Sequence, residues 1–422
     1  MKFKREILPS GLRIVAIPMK DNPTATVLVM VEAGSKYETK NINGLSHFLE
    51  HMCFKGTTKR PTALDISREL DSLGSQSNAF TSQEYTGYYA KAEARHLDTM
   101  LDVVSDLYLH PLLPATELEK EKGVIIEEIN MYEDLPSRIV HDVFMELLYG
   151  DQPVGWSILG PREVIRGIDR ATMLKYRNDH YVSEATTVVV AGNINETKVI
   201  DQIGRAFGPI GVGKRSDKMR VVEAQAEPRV KVRHKETDQA HLVLGVRSFD
   251  TYSEHQPVLR VIEGILGRGM SSRLFQKLRE EMGVCYYVRA SEDSYTDHGI
   301  FQVSTGVDTK RIKDVIRAIL EEFNKLKNIF VSDAELKKVK DYLVGTMMLE
   351  IESSDAIAEF FGYQEILRKS LKTPLELAKE IEKVTPGDIE RVSKLIFEDK
   401  NLNLAVVGPY KDSGHFNDVL HF

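Results

Sequence analysis

The sequence predicts an α+β protein made of two homologous domains. Its 422 residues exceed what one compact core usually takes, and apolar runs of strand length alternate with longer runs of helical periodicity. Residues 115–139 also resemble residues 333–357, at an offset of 333 − 115 = 218. We therefore predict domains at residues 1–210 and 229–422, joined by a linker at 211–228.

Each element follows from local composition. Strands are predicted where β-branched and other apolar residues cluster between turn formers, and helices begin at signals such as Asp169 and Asp388. The linker is predicted where the chain is rich in glycine and charged residues and lacks hydrophobic periodicity. In chain order, the predicted strands are Leu12–Met19, Thr24–Ala33, Gln83–Ala92, Thr186–Gly192, Val230–Arg233, Leu242–Arg247, Val284–Ser291, Ile300–Thr305 and Leu402–Val407.

A helix predicted over Gly44–Phe54 carries the most informative motif of the chain. His47 and His51 are four residues apart and so lie on one helix face, where both can bind one metal ion. Glu50 lies about 100° around the helix from His51 and can reach a metal-bound water without being a ligand. This pattern predicts a hydrolytic metal site. The pentapeptide alone is equally compatible with two amphipathic histidines beside an unrelated glutamate.

A catalytic zinc site has three protein ligands and a water, so a third ligand must come from another part of the chain. The acidic run at 114–134 is predicted to form one long helix. Glu121 and Glu128 lie two turns apart on one face, beside an apolar segment that holds that face inward, so one can ligate and the other can support. We interpret the remaining glutamates of this helix as a solvated face: Glu117, Glu119 and Glu127.

The second copy of the repeat lacks these groups. With the offset applied, Val339 and Thr346 correspond to Glu121 and Glu128. Aligning Leu45 with Leu259 sets small or apolar residues opposite the histidine motif, namely Val261, Gly264 and Ile265 opposite His47, Glu50 and His51. Metal chemistry is therefore predicted in the first domain alone.

The motifs resemble those of the inverzincin metallopeptidases of the pitrilysin superfamily. The similarity is carried by His47–Thr57, Asn78–Ser82 and Gly123–Glu128, and it extends over nearly the whole chain. It is strongest to the short-chain branch that includes the β subunit of mitochondrial processing peptidase and its bacterial homologues. This resemblance implies that each domain is a largely antiparallel sheet with helices packed on one face.

The resemblance also implies the metal site. It implies one Zn2+ per chain, held by His47, His51 and a glutamate at a set distance beyond the second histidine. That distance selects Glu127 or Glu128, and the register of the preceding Val-Ile-Ile string favours Glu128. Glu121 is then the glutamate that contacts one of the ligands on the side away from the metal.

The remaining site residues are implied in the same way. Glu50, Arg279 and Tyr286 are the catalytic residues, with Arg279 and Tyr286 holding the substrate carbonyl, and Asn78 and Ala79 form the strand edge to which an extended peptide pairs. Without the resemblance, we would interpret residues 78–82 as an ordinary edge strand, and Arg279 and Tyr286 as packing and surface residues.

The implied function is that of a zinc-dependent endopeptidase acting on extended, basic or presequence-like peptides in a chamber between subunits. We predict a homodimer, or a heterodimer with a related chain, in which Arg279 and Tyr286 of one subunit face the zinc domain of the other. One alternative is a non-catalytic peptide-binding or assembly subunit on the same scaffold. A second is a structural zinc protein with a closed four-ligand site.

The composition argues against other classes. A net charge of −7 argues against a nucleic-acid partner, and no run of residues is apolar enough for a membrane span. Gly208 and Gly213 have the spacing of a phosphate-binding loop, but Arg215 stands where that loop requires Ser or Thr. Two cysteines and the lack of a signal-peptide pattern predict a reducing compartment, either the bacterial cytoplasm or, for a mature organellar protein, the matrix.

Overall fold

The computed structural model describes residues 2–422, in which eleven strands form two sheets and fourteen α-helices surround them. The strands are β1 (Lys4–Ile7), β2 (Arg13–Pro18), β3 (Thr24–Val31), β4 (Gln76–Thr81), β5 (Thr86–Glu93), β6 (Thr186–Gly192), β7 (Arg229–His234), β8 (Gln239–Ser248), β9 (Cys285–Ser294), β10 (Gly299–Asp308) and β11 (Asn403–Gly408). The helices are α1 (Leu45–Cys53), α2 (Ala63–Ser72), α3 (Leu97–Leu109), α4 (Ala115–Asp134), α5 (Pro136–Tyr149), α6 (Arg162–Gly167), α7 (Arg170–His180), α8 (Glu196–Ala206), α9 (Gln256–Gly267), α10 (Ile312–Asn328), α11 (Asp333–Glu350), α12 (Ser354–Leu367), α13 (Pro374–Lys383) and α14 (Pro386–Ile396).

The first sheet has the strand order β1-β2-β6-β3-β5-β4, and its pairings are antiparallel except for that of β2 with β6. Helices α1, α3 and α8 cover one face. Because β6 is buried along its whole length, the opposite face must be covered too. Helix α12 covers it, with Ile357 and Phe361 in one cluster with Leu28, Met30 and Val189.

The second sheet has the order β7-β11-β8-β10-β9, again with one parallel pairing, between β7 and β11. This is the order of β2-β6-β3-β5-β4 in the first sheet. Helices α9, α10 and α14 pack on one face, and α5 covers the other with Val140 and Phe144 against Val243 and Val407. The predicted α+β class with two repeated, largely antiparallel sheets is confirmed, but helices lie on both faces of each sheet instead of one.

The chain forms two compact units. The first comprises Met1–Ile129, Ser157–Met219 and Leu349–Leu371, and the second comprises Asn130–Trp156, Arg220–Met348 and Lys372–Phe422. The boundary after Met219 lies inside the predicted linker, but the division differs from the predicted spans 1–210 and 229–422 at two helices. Helix α5 belongs to the second unit and α12 to the first. An apolar helix face does not encode which of two similar sheets it packs on, so this exchange is not visible in the sequence.

Most local elements match their predictions. All nine predicted strands are present with ends shifted by a few residues, and the histidine helix and the acidic helix are α1 and α4. Strand β1 was not predicted because its residues, Lys4 to Ile7, lack apolar alternation. Cys53 and Cys285 are both free thiols. Among the helices described, none combines the length and the hydropathy that crossing a bilayer requires.

Candidate metal centre

Helix α1 begins at a cap built around Gly44. Gly44 has a φ of 96°, and a Cβ there would lie 2.5 Å from the carbonyl oxygen of Leu159, so glycine is required. The buried carboxylate of Glu38 accepts hydrogen bonds from the N–H groups of Gly44 (2.7 Å) and Ser46 (2.6 Å). Burial raises the pKa of Glu38 against the opposing effect of these hydrogen bonds. The first turn is therefore fixed, and with it the face that carries the two histidines.

His47, His51 and Glu128 converge on one point in the first unit. The Nε2 atoms of His47 and His51 are 3.2 Å apart, and Oε2 of Glu128 lies 3.6 Å from the first and 3.7 Å from the second. A tetrahedral zinc ion with bonds of about 2.0–2.1 Å separates its ligand atoms by about 3.3 Å. The three atoms thus have the spacing of three corners of such a site. No other group of this kind occurs within residues 2–422.

Helix α4 presents Glu128, and not Glu127, to the histidines. Its buried side consists of Leu118, Glu121, Ile125 and Ile129, at helical spacing. Glu128 lies beside this row, whereas Glu127 points to solvent. Of the two candidates from the sequence, the geometry favours Glu128.

Glu121 stands behind His51. Its Oε1 is 2.9 Å from Nδ1 of His51, and its Oε2 is 2.6 Å from Nζ of Lys55. Burial alone would raise the pKa of Glu121, but the hydrogen bonds from His51 and Lys55 lower it below its ordinary value. An ionised Glu121 holds the proton of His51 on Nδ1 and leaves the lone pair on Nε2, the atom that faces the ligand group. Lys55 was missed in the sequence, where its only signal was its position four residues after His51.

Without a bound cation, the two imidazoles have opposite pKa shifts. Burial, and then the proximity of His51, lowers the pKa of His47 to about 3. Burial also acts to lower the pKa of His51, but the hydrogen bond to Glu121 and the charge of Glu50 raise it above its ordinary value. Three carboxylates surround the histidine pair. The site is therefore electronegative and suited to a cation.

Glu50 is buried beside the ligand group and is held by strand β4. Thr81 donates a hydrogen bond of 2.6 Å from Oγ1 to Oε2 of Glu50. Burial raises the pKa of Glu50, while Thr81 and His51 act to lower it and Glu128 acts to raise it. The sequence did not mark Thr81 as a site residue, although it lies within the hydrogen-bonding run 78–82. A contact over 81 − 50 = 31 residues has no local signal.

Strand β4 is the edge of the first sheet and is paired on one side, with β5. Asn78 is exposed and Ala79 is half-buried at this edge. The N–H of Ala79 donates to Oδ1 of Asn78 at 2.9 Å, so it is not part of the ladder with β5. β4 therefore has a free edge at the position predicted to bind peptide, with one of its donors covered by the strand's own side chain.

Arg279 and Tyr286 form a separate group in the second unit. Arg279 lies in a π-helical segment, Phe275–Glu281, and Tyr286 lies on β9, the edge strand of the second sheet. Nη1 of Arg279 donates to the carbonyl oxygen of Tyr286 at 2.8 Å. The guanidinium lies 5.1 Å from the ring centres of both Phe275 and Tyr286, and the Tyr286 side chain is 76% exposed. The pair is thus assembled and accessible.

Comparison with known proteins gives a consistent family. The sequence profile described as insulinase (peptidase family M16) matches residues 13–162, and that of the peptidase M16 inactive domain matches residues 167–343. The chain is 36% identical over 410 residues to the uncharacterized zinc protease YmxG of Bacillus subtilis, covering 96% of this chain and 98% of that protein.

Two further similarities extend over nearly the whole chain. Mitochondrial-processing peptidase subunit beta of Mus musculus is 29% identical over 423 residues, covering 98% of this chain and 86% of that protein. The crystal structure of a protease from Helicobacter pylori superposes with a TM-score of 0.89 at 22% identity, covering 97% of this chain and 99% of that one. The latter similarity concerns the fold.

Proposed function

The chain belongs to the M16 (insulinase) family of peptidases, and from this premise we propose that it is a zinc-dependent endopeptidase. Relatives from Bacillus subtilis and Streptomyces coelicolor are named zinc proteases, which supports zinc as the cofactor. One observation carries the proposal. Two imidazole nitrogens and one carboxylate oxygen converge at tetrahedral spacing beside a buried fourth group, Glu50.

The donor set fits a catalytic zinc ion, one per chain. His47, His51 and Glu128 would hold it, and they are residues of the kind that catalytic zinc sites use together with a water molecule. A zinc ion held by these residues would supply Lewis-acid chemistry, polarising the scissile carbonyl and lowering the pKa of the attacking water.

The residues around the ligands have separate roles in the proposed reaction. Glu50 takes the proton of the attacking water and passes it to the leaving amine. Thr81 fixes Oε2 of Glu50, so Oε1 is the oxygen available for that proton. Glu121 keeps the proton of His51 on Nδ1 and orients the ring. Arg279 and Tyr286 hold the carbonyl oxygen of the substrate as charge develops on it.

The substrate binds in extended form along β4. A peptide strand added at this edge gains backbone hydrogen bonds, for which the Asn78 side chain must release the N–H of Ala79. We propose basic, presequence-like segments as substrates. A net charge of −7 suits cationic peptides, although such a charge also simply keeps a protein soluble, and the name of the mouse relative supports a processing role. A bacterial cytoplasmic location remains our prediction.

The predicted dimer has its own test. We propose two composite sites, each taking His47, His51, Glu128 and Glu50 from one subunit and Arg279 and Tyr286 from the other. Mixing Glu50→Gln protein with Arg279→Ala protein should then restore part of the activity that each variant has lost. Mixtures without any recovery contradict assembly between subunits.

A single experiment separates the peptidase from its alternatives. Zinc content is measured together with hydrolysis of a fluorogenic basic peptide, before and after chelation and after zinc is restored. The proposal expects about one zinc per chain and activity that chelation abolishes and zinc restores. Peptide binding without turnover indicates a binding or assembly subunit, and zinc retained without activity indicates a structural zinc protein.

A further inference from the structure

The face of β4 opposite the metal group carries a second arrangement of polar and aromatic side chains. Successive residues of a strand point to opposite faces, so Thr81 and Ala79 face α1 whereas Phe80 and Asn78 face α12. Phe80 is paired with Gly87 across the ladder, and a Cβ at Gly87 would lie 2.3 Å from the Phe80 ring. The absence of a side chain at Gly87 thus lets the ring lie flat on β5, next to the free edge.

Three aromatic rings meet on this face. The ring centres of Phe80 and Tyr85 are 6.1 Å apart, and those of Phe80 and Tyr363 are 6.2 Å apart. Tyr85 and Tyr363 are 5.3 Å apart. All three side chains are partly accessible, at the margin of the core cluster under α12. They form a partly exposed aromatic cluster beside the strand edge.

Glu359 is the carboxylate of this surface. It lies one turn before Tyr363 on α12 and one turn after Asp355. Asp355 is paired with Nζ of Lys91 at 2.7 Å. Glu359 has no ion pair and no side-chain hydrogen bond within residues 2–422, and it is half-buried.

The charge of Glu359 acts on the same rings. Burial, and then the nearby Asp355, raises the pKa of Glu359. Burial raises the pKa of Tyr85 and Tyr363 as well, and the charge of Glu359 contributes to both shifts. The cation next to this surface, Lys91, is already paired with Asp355, so the charge of Glu359 has no partner of its own.

We propose that Phe80, Tyr85, Tyr363 and Glu359 form a subsite for a basic side chain of the peptide that pairs with β4, on the face opposite the metal-binding histidines. This subsite rests on the proposed function and specifies its substrate class. An Arg or Lys side chain is attracted by the faces of the rings and pairs with the carboxylate in a partly water-free setting. An acidic side chain is repelled there, and an apolar one buries Glu359 without a partner.

The strand geometry adds a positional rule. Side chains of an added strand alternate between faces, so a basic residue in this subsite has neighbours that point toward α1. Arg should therefore be favoured at one position of the substrate and not at the positions on either side of it.

The test uses a peptide set in which one Arg is moved along a norleucine background. Cleavage is measured with the full-length wild type, and binding is measured by fluorescence anisotropy with the catalytically inactive Glu50→Gln variant. At the favoured position, replacing Arg by norleucine should lower both kcat/KM and affinity by about tenfold. In Glu359→Gln, a nearly isosteric change, this difference should fall to less than about threefold.

Two further variants complete the test. Glu352→Gln removes an exposed carboxylate just before α12 and should keep the full preference for Arg. Glu359→Lys should favour Glu over Arg at the same position. An Arg preference unchanged in Glu359→Gln overturns the subsite alone. Binding that shows the preference without any cleavage overturns the peptidase assignment alone, and no peptide binding overturns both.

Discussion

The two sheets share a strand order but differ at the helices that follow it. In the first unit, α1 and α4 meet through the hydrogen bond between His51 and Glu121. In the second unit, α9 and α11 meet through apolar contact so close that a Cβ at Gly264 would lie 2.6 Å from Cγ1 of Val339 and 3.2 Å from Leu343. The corresponding pair of helices thus packs through polar groups in the first unit and through apolar side chains in the second.

This difference indicates why the first unit contains buried polar groups. Burying Glu50, Glu121 and His47 removes charged and polar atoms from water, which is unfavourable unless each finds a partner. The second unit shows that apolar packing serves the same fold. The polar set of the first unit is therefore explained by chemistry at the site and not by a requirement of folding.

The largest effect is expected from giving the first unit the residues of the second. In a double variant, His51→Ile and Glu121→Val introduce the residues aligned at positions 265 and 339. We expect loss of zinc and of all peptidase activity, because a ligand and its support are gone. The free energy of unfolding of the zinc-free protein should change by no more than about 1 kcal/mol, since replacing a buried polar pair by apolar groups is often neutral.

Zinc analysis and urea unfolding in the presence of a chelator measure these two outcomes. Glu119→Val, on the exposed side of α4, is the control and should keep both zinc and activity. A double variant that fails to fold without zinc would show that the polar set is structural, contrary to the comparison.

The second-largest effect is expected for a substitution at Glu50, whose counterpart in the second unit is Gly264. Glu50→Gln keeps the shape of the side chain but removes the base, so kcat should fall by about 100- to 10,000-fold while zinc content stays unchanged. Steady-state kinetics with a fluorogenic peptide and metal analysis check both expectations. Activity within a few fold of wild type eliminates Glu50 as the general base.

Thr81 tests the link between the substrate strand and the base. Thr81→Val removes the hydroxyl that donates to Glu50 at nearly constant shape, and hydrogen bonds to charged groups contribute about 1.5–3 kcal/mol. We expect kcat to fall by about tenfold or more with little change in KM. Thr81→Ser restores the donor and should recover most of kcat. Equal losses in the Val and Ser variants point instead to packing of β4.

The smallest effect concerns the pH dependence of stability. In zinc-free protein, the two histidines should change the stability of the fold in opposite directions as the pH is lowered. His47 has a pKa of about 3 when folded against 6.5 when unfolded, so the unfolded chain binds its proton first and stability falls as pH drops from 6.5 toward 3. The pKa of His51 is raised, so its contribution is complete below 6.5 and is lost as pH rises through the folded value.

Thermal unfolding in chelator between about pH 7.5 and 4.5 distinguishes these contributions. On acidification, His47→Gln should lose less Tm than wild type, and His51→Gln should lose more. Parallel curves for the two variants contradict the assigned environments.

The sequence was most informative where the signal is local. The apolar periodicity of Gly44–Phe54 predicted α1 to within a residue at each end, and the i,i+4 spacing predicted that His47 and His51 share one face. The choice of Glu128 over Glu127 came from the family resemblance, and it agrees with which side of α4 is buried. The strand order could not be read from local patterns, but the internal repeat correctly indicated two similar sheets.

The features that were missed depend on tertiary contacts. Thr81 reaches Glu50, and Glu38 reaches the first turn of α1, through hydrogen bonds that no periodicity reveals. The pairing of Lys55 with Glu121 joins two segments 66 residues apart, as 121 − 55 gives. The predicted domain spans placed helices α5 and α12 in the halves of the chain in which they occur. A hydrophobic pattern shows that a helix face is buried, but it does not show which sheet that face packs on.

The placement of α12 has a consequence for biosynthesis. All six strands of the first sheet have been made once Gly192 is added, but the helix that covers Leu28, Met30 and Val189 ends at Leu367. At about 5–20 residues per second, the intervening 367 − 192 = 175 residues take roughly 10 to 35 seconds to translate. During that interval the helix that covers this apolar face is absent, so an N-terminal fragment that ends before α12 leaves Leu28, Met30 and Val189 without it and is not a finished domain.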